Sequence, residues 1–425
     1  MALRARVRRG YALGSVATGT FGTVPGLLLL PYLTDTLGIA AGVAGVLVLA
    51  PKAWDVVLNP IAGRISDRRG QRRPFLLVAG VALAVLFALM FAGPVAPPAL
   101  AGAYVAVLFL AAASAYAFFQ VPYVAMPAEM TTDAAERTRI MTWRVVVLAL
   151  AILLSGATAP LVVEAFGYPV MGGYVGVLLL LGAIGAYVGT RGAPAAVQPA
   201  PVGPLRAQLR LVSAVPEFRW LLITWVVQAL AIGAMLAGVA YVARYLLRDP
   251  TAATILFAAF VGPALLVTPL WERYARRHGK RAGYLASTAV LAVGALALAA
   301  AGTGAALPTY LAAGLTGVGY AGAQVFPLAM LPDVAGADAE TTGDNRIGVF
   351  TGVWTAGETL GLALGPGLFA LVIQLGGYLP STAGVEVAQP ASALTAIAVG
   401  VSVVPAVLIA ASVLALRRYR LDERR

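Results

Sequence analysis

Twelve stretches of this chain stay apolar for about 20 residues or more, the length a helix needs to cross the hydrocarbon layer of a bilayer. They fall near 11–33, 40–62, 75–94, 99–126, 141–162, 170–189, 219–245, 252–271, 283–302, 307–330, 347–374 and 391–416. A soluble core could not hold them: 60% of the 425 residues are hydrophobic and only 11% are charged. Lipid must therefore be the solvent for most of the chain. The fold class expected is all-α, with twelve transmembrane helices.

The net charge of +12 invites a nucleic-acid reading, which the placement of the charges rejects. Arg4, Arg6, Arg8 and Arg9 precede the first segment; Arg417, Arg418, Arg420, Arg424 and Arg425 follow the last. Connections after segments 2, 4, 6, 8 and 10 hold nearly all the rest, and the alternate connections hold little beyond Arg244 and Arg248. This is the positive-inside pattern, with both termini cytoplasmic in a bacterial inner membrane. The basic balance thus reports topology and contact with anionic lipid, and the first segment reads as a span rather than a removable leader. Cysteine is absent and the single histidine, His278, sits in a basic loop. That argues against a zinc site or a Ser-His-Asp triad, and no metal is expected. No phosphate-binding P-loop occurs, so ATP hydrolysis is unsupported and no enzymatic role is expected.

A Pro-rich basic stretch divides the segments six and six. The expected organisation is an N-terminal bundle over 1–192, a cytoplasmic linker over 193–217 and a C-terminal bundle over 218–425. Two matches cross the divide. Pro60, Arg64, Gly70 and Arg72 recur as Pro269, Arg273, Gly279 and Arg281, at an offset of 209. Tyr116, Gln120, Ala125, Met126 and Glu129 recur as Tyr320, Gln324, Ala329, Met330 and Asp333, at an offset of 204. Segments 2 and 4 thus correspond to 8 and 10. Six-plus-six parallel repeats are the layout of major facilitators, whose two bundles are related by a pseudo-twofold axis and whose substrate path runs between the halves.

The run from Lys52 through Trp54, Asp55, Asn59, Pro60 and Gly63 to Asp67, followed by Gln71, Arg72, Arg73, Pro74 and Phe75, resembles a family signature. So do the runs Pro127 to Arg137 with Trp143 and Arg144, and Ala329 to Asp333 with Thr342, Gly343, Arg346 and Gly348. The family is the glycoside–pentoside–hexuronide:cation symporters, the melibiose-permease type of major facilitator. The resemblance implies cation-coupled symport, with an aspartate pair in segment 2 holding the cation. Asp55 matches the first member and Asn59 stands at the second, with the family's basic partner present as Lys52. The sugar-binding aspartates of segments 1 and 4 fall on Gly19 and Gln120, and the aromatic platform after the latter falls on Val124. The segment 5 arginine survives as Arg144, while a segment 11 lysine aligns, within a residue, with Glu358. Scaffold and loops match this family; the sugar site departs from it.

Read on their own chemistry, Lys52, Asp55 and Asn59 share a helical face. An ionisable group inside a span costs roughly 2.5–3.5 kcal/mol and so marks a cavity or a pair. The expectation is a coupling site in which Asp55 alternates between a protonated or cation-bound form and a salt bridge to Lys52; the bland reading is a pair that locks helices together. Gln120, Arg144, Gln324, Trp354 and Glu358 are the expected substrate-cavity residues, with gating or interfacial anchoring open for Arg144, a structural pair with a residue such as Arg144 open for Glu358, and interhelical hydrogen bonding open for the glutamines. Asp67, Arg68, Arg72, Arg73, Glu129, Asp133, Arg137, Arg273, Arg277 and Asp333 are the expected cytoplasmic gate. Gly348/Gly352 and Gly357/Gly361/Gly365 make small-residue faces suited to close helix packing.

The function expected is H+- or Na+-coupled symport of a small organic solute by alternating access, a sugar or glycoside by the resemblance, in a monomer without a cofactor. An amphipathic cargo, such as a lysolipid or secondary metabolite, is the alternative on the same scaffold.

Overall fold

The computed structural model describes residues 5–69, 71–93, 97–131, 133–193, 214–342, 347–385 and 387–421. Their order is α1 (Ala5–Thr36), α2 (Ala41–Arg69), α3 (Arg73–Met90), α4 (Pro98–Met130), α5 (Ala134–Phe166) and α6 (Tyr168–Gly189), then α7 (Pro216–Leu246), α8 (Ala252–His278), α9 (Lys280–Thr303), α10 (Ala306–Thr342), α11 (Ile347–Leu375) and α12 (Ala391–Leu416). Helices are what lipid demands, because they satisfy every backbone N–H and C=O within the segment. Among the described residues, ten are long and apolar enough to cross a membrane. The other two, α2 and α10, are 29 and 37 residues long. Of these, α10 falls short in apolarity because it is rich in Gly, Thr and Tyr, while α2 contributes the apolar stretch Ala41–Lys52 among the described residues. These helical stretches coincide with the twelve apolar segments. Several run past them, so Pro60–Arg69, Pro127–Glu129 and Pro269–His278 are helix ends rather than loops.

The chain divides into two compact units, 1–200 with 380–387 and 201–379 with 388–425. The division falls inside the expected linker, most of which lies outside the described residues. In unit 1, α1 packs on α5 and α6, α3 packs on α4 and α6, and α2 packs on α4. In unit 2, α7 packs on α11 and α12, α9 packs on α10 and α12, and α8 packs on α10. Adding six to each helix number converts the first pattern into the second. The internal repeat read from two short motifs therefore extends over the whole packing scheme of each unit.

A further correspondence escaped the sequence. Both α1 and α7 finish in a five-residue π turn, Tyr32–Thr36 and Val242–Leu246. Leu37 N–H donates to the Tyr32 carbonyl at 3.1 Å, and Leu247 N–H to the Val242 carbonyl at 2.9 Å, an offset of 210. Beyond the first of these turns, Ser381 and Ala383 donate backbone N–H groups to the Thr34 and Thr36 carbonyls at 2.9 and 3.0 Å. That docking is why 380–387 belongs with unit 1.

Between helices the spacing is set by backbone. A methyl group on Gly10 would collide with the backbone of Gly189, which fixes the crossing of α1 and α6. Gly357, Gly361 and Gly365 meet Leu222, Val226, Ala229 and Gly233 of α7, as their spacing predicted. Gly352 faces open space, and Gly348 lies outside the described side chains. Small residues at such crossings let dispersion and weak hydrogen bonds act at short range, where lipid offers no hydrophobic drive between helices.

Candidate functional site

In unit 1 the intramembrane charges gather around aromatic rings of α1 and α4. Asp55, midway along α2, is 4% exposed, and its Oδ1 is buried without a hydrogen-bond partner among the described residues. Lys52 is half-buried, and its ammonium lies 5.5 Å from the centroid of the Phe21 ring rather than in an ion pair with Asp55. The expected salt bridge is therefore not formed in this conformation. Spacing along α2 does put the two groups on one side of the helix, but Phe21 offers the longer lysine stem a cation–π seat. Phe21 in turn packs on Tyr116 at 4.5 Å between centroids, and Tyr116 feels the charges of both Asp55 and Arg144. Asn59, one turn beyond Asp55, is half-buried.

Arg144 of α5 lies over the Tyr123 ring at 5.8 Å, with its Nε buried and unpartnered. Tyr123 is held by a reciprocal clamp between α4 and α1. Pro127 lacks the N–H that the Tyr123 carbonyl would accept from in a regular helix, and Tyr11 Oη donates to that carbonyl at 3.0 Å instead. Tyr123 Oη donates back to the Tyr11 carbonyl at 2.9 Å and lies 2.9 Å from Ser15 Oγ. Gly14 leaves the room that the Tyr123 ring fills. The helix break in α4 thus becomes a fixed aromatic seat for the arginine. Gln120, one turn before this seat, is half-buried and has no hydrogen bond among the described residues.

Unit 2 carries a different arrangement. Gln324 Nε2 of α10 donates to Tyr320 Oη at 2.7 Å, and Tyr320 stacks on Phe260 at 4.8 Å. Glu358 of α11 is half-buried, within electrostatic reach of Tyr320, and has no ion pair or hydrogen bond among the described residues. Trp354 departs from expectation. It is 2% exposed and stacked against Trp225 of α7 at 5.9 Å, so it presents no aromatic face beside Glu358. Sequence reasoning also missed Gln228 of α7, which is fully buried. Its Nε2 donates to Thr288 Oγ1 at 3.0 Å and Ser412 Oγ at 3.1 Å, while its Oε1 accepts from Tyr284 Oη at 2.9 Å. This satisfied network ties α7, α9 and α12 and is structural.

The expected gate residues resolve into ties within each unit. Arg72 Nε meets Glu129 Oε1 at 2.6 Å, linking the start of α3 to the end of α4. At the corresponding place in unit 2, Lys280 Nζ meets Asp333 Oδ2 at 2.6 Å, linking α9 to α10. Arg73 donates to the Tyr187 carbonyl at 2.7 Å and to Thr190 Oγ1 at 3.3 Å, at the end of α6. Arg137 donates to the Thr131 carbonyl at 3.2 Å, and Asp133 is exposed. Arg273 and Arg277 are exposed and form no ion pair between described residues; the side chains of Asp67 and Arg68 lie outside the described residues. Buried Glu136 pairs with Arg8 at 2.7 Å and joins α5 to α1. Neither that pair nor Lys280 was singled out from sequence, because separations of 128 and 53 residues leave no local pattern.

Residues 10–423 match the family described as MFS/sugar transport protein. A putative glycoside/cation symporter of Escherichia coli, YagG, is 34% identical over 181 residues, which is 41% of this chain and 39% of that protein. The alignments to this and to the Bacillus subtilis symporter YjmB span only about two fifths of those relatives. The isoprimeverose transporter of Lactiplantibacillus pentosus is 23% identical over 98% of this chain and 88% of its own length. Among solved structures, a bacterial homologue of the drug peptide transporters PepT1 and PepT2 superposes with a TM-score of 0.70 at 13% identity, covering 99% of this chain and 98% of that one. The nucleoside transporter NupG superposes with a TM-score of 0.70 at 12% identity, covering 97% and 99%. At such identities these likenesses establish the fold alone.

Proposed function

Because this chain belongs to the MFS/sugar transport protein family, we propose that it is a secondary active transporter that carries a small sugar or glycoside together with a cation, H+ or Na+, by alternating access. The family is one of membrane transporters, so no enzymatic activity is assigned. The two six-helix bundles, 1–192 and 218–425, act as the moving domains, joined by the linker 193–217. Both termini face the cytoplasm of a bacterial inner membrane, as the basic loops direct. The name of one relative matched over 98% of this chain, the isoprimeverose transporter, supports a sugar cargo over the amphipathic one.

One observation carries the coupling assignment: the Asp55 carboxylate is buried in mid-span, and its Oδ1 has no hydrogen-bond partner among the described residues. A charge there is costly unless it is paired or neutralised. A proton or sodium ion at Asp55, with Asn59 one turn away, supplies the neutralisation that lets the site pass between half-open states. In the empty carrier Lys52 leaves the Phe21 ring and supplies it instead. Arg144 on its tyrosine seat, Gln120, Gln324 and Glu358 contact the solute through its hydroxyl groups. The tie of Arg72 to Glu129, its counterpart at Lys280 and Asp333, and the neighbouring basic residues form the cytoplasmic gate.

Purified protein in liposomes tests the reading. Uptake of labelled glycosides, methyl glucoside and isoprimeverose among them, is measured under an inward Na+ gradient, an inward H+ gradient and neither. Accumulation above the external concentration under one gradient is expected. Glycoside flux that no cation gradient drives would overturn the symport assignment, and flux of lysolipid alone would overturn the cargo.

A further inference from the structure

Glu358 lies in the interior of α11, eleven residues past its first residue and seventeen before its last. Among the described residues of unit 2, every Lys and Arg lies in the first or last two turns of a helix or beyond it, as do Arg219 and Arg244 on α7, Arg273, Arg276 and Arg277 on α8, and Lys280 and Arg281 on α9. Within this unit no basic side chain is placed to neutralise the carboxylate, and none pairs with it among the described residues. Its polar neighbours do not answer it either. Gln324 spends an amide hydrogen on Tyr320 Oη, leaving Gln324 Oε1 as an acceptor. Trp354, one turn before Glu358, stacks its ring face on Trp225, and its Nε1 makes no hydrogen bond to the carboxylate among the described residues.

This wall of unit 2 is therefore rich in acceptors and negative. Its donors are the Tyr320 hydroxyl, which accepts from Gln324 and keeps its own proton to give, and the second amide hydrogen of Gln324; neither carries a charge that offsets the carboxylate. A ligand group that completes such a surface must donate, as a hydroxyl does, and completes it best with a positive charge. A carboxylate or sulfonate brought there meets a like charge in a poorly screened setting, where such repulsion is strong.

We propose that Glu358 is a specificity residue that makes this transporter favour glycosides bearing an ammonium group over those bearing a carboxylate. The inference rests on the sugar-transport reading and narrows it to neutral and amino-sugar substrates. Two relatives are named as a glucuronide carrier homologue and a putative sulfoquinovose importer; their cargoes are acidic, and this chain parts from them on that point.

Three methyl glycosides that differ in one group test it: the glucoside, its 2-amino-2-deoxy counterpart and the glucuronide. Binding to the purified full-length protein is measured by ligand-induced thermal stabilisation at about pH 6, 7 and 8, so that the charges of the sugar amine and of the carboxyl are both varied. The wild type is expected to bind the amino glycoside at least about tenfold more tightly than the glucuronide. Glu358→Gln should bring that ratio close to one. An unaltered melting temperature without ligand shows that the variant is folded; Glu358→Asp, which keeps the charge, should preserve the ratio and serves as the second variant.

An unchanged ratio in Glu358→Gln overturns the proposal, because the carboxylate is then neutralised by another part of the protein. So does a variant that keeps the ratio but loses the dependence of uptake on a cation gradient, which assigns Glu358 to coupling. If the wild type binds none of the three glycosides, the sugar-transport reading fails, and this inference falls with it.

Discussion

Asp55→Asn is the substitution that separates a coupling carboxylate from a structural one. Asparagine keeps the size and one acceptor of the side chain and removes its charge. In the wild type, a carrier that reorients without a cation moves a buried carboxylate whose Oδ1 has no partner. Carrying such a charge through the hydrophobic interior costs about 3 kcal/mol, which slows uncoupled reorientation roughly 100-fold relative to the loaded carrier. Capture by Lys52 would reduce that penalty, so the figure is an upper bound. The assay is efflux from preloaded proteoliposomes with and without the coupling cation on both sides. The wild type should show a large ratio between the two rates, approaching about 100. In Asp55→Asn the ratio should fall to about one, with concentrative uptake lost and exchange of solute retained. A variant that still concentrates solute under a cation gradient would remove Asp55 from the coupling step. Equal loss of exchange and accumulation would instead make it a structural residue.

Other outcomes follow from the packing. Gln228→Leu strands Tyr284 Oη and Thr288 Oγ1 in the core of unit 2, which should cost about 2 kcal/mol and lower the melting temperature in detergent by roughly 4–8 °C; the purified variant checks it by thermal unfolding. Gly365→Ala drives a methyl group into the backbone of Gly233 and Ala234 and should sharply reduce the yield of monodisperse protein on size-exclusion chromatography. Gly352→Ala, where nothing lies within 4 Å, should leave that yield unaltered. Arg72→Glu sets two acids against each other in place of a partly buried ion pair, at about 2 kcal/mol. Combining it with Glu129→Arg should recover most of the lost thermal stability and turnover, which a double-mutant cycle measures.

How far the sequence carried varies with the range of the interaction. Spans were legible because lipid imposes a length and a composition on each helix separately. Gly357, Gly361 and Gly365 were legible because a single helix displays their stripe. The pairing of Arg72 with Glu129 was legible only as two charges at matched loops, and its counterpart in unit 2 uses Lys280 where Arg281 stands at the matching position. Tertiary choices were hidden. Lys52 and Asp55 sit three residues apart on one face, yet the lysine takes an aromatic partner from α1, 31 residues away. Trp354 looked like an open platform until Trp225, from another helix, covered it. Gln228 gave no signal at all, since its three partners come from α9 and α12. A helical period reports which side of a helix is polar, and it is silent about which neighbour answers.

The π turns that close α1 and α7 bear on the internal repeat. Each inserts one residue into a helix at the same point of its bundle, yet the two five-residue strings, YLTDT and VARYL, share no residue at any position. Side-chain chemistry therefore does not dictate the widened turn. The shared shape belongs to the six-helix repeat itself rather than to the local residues.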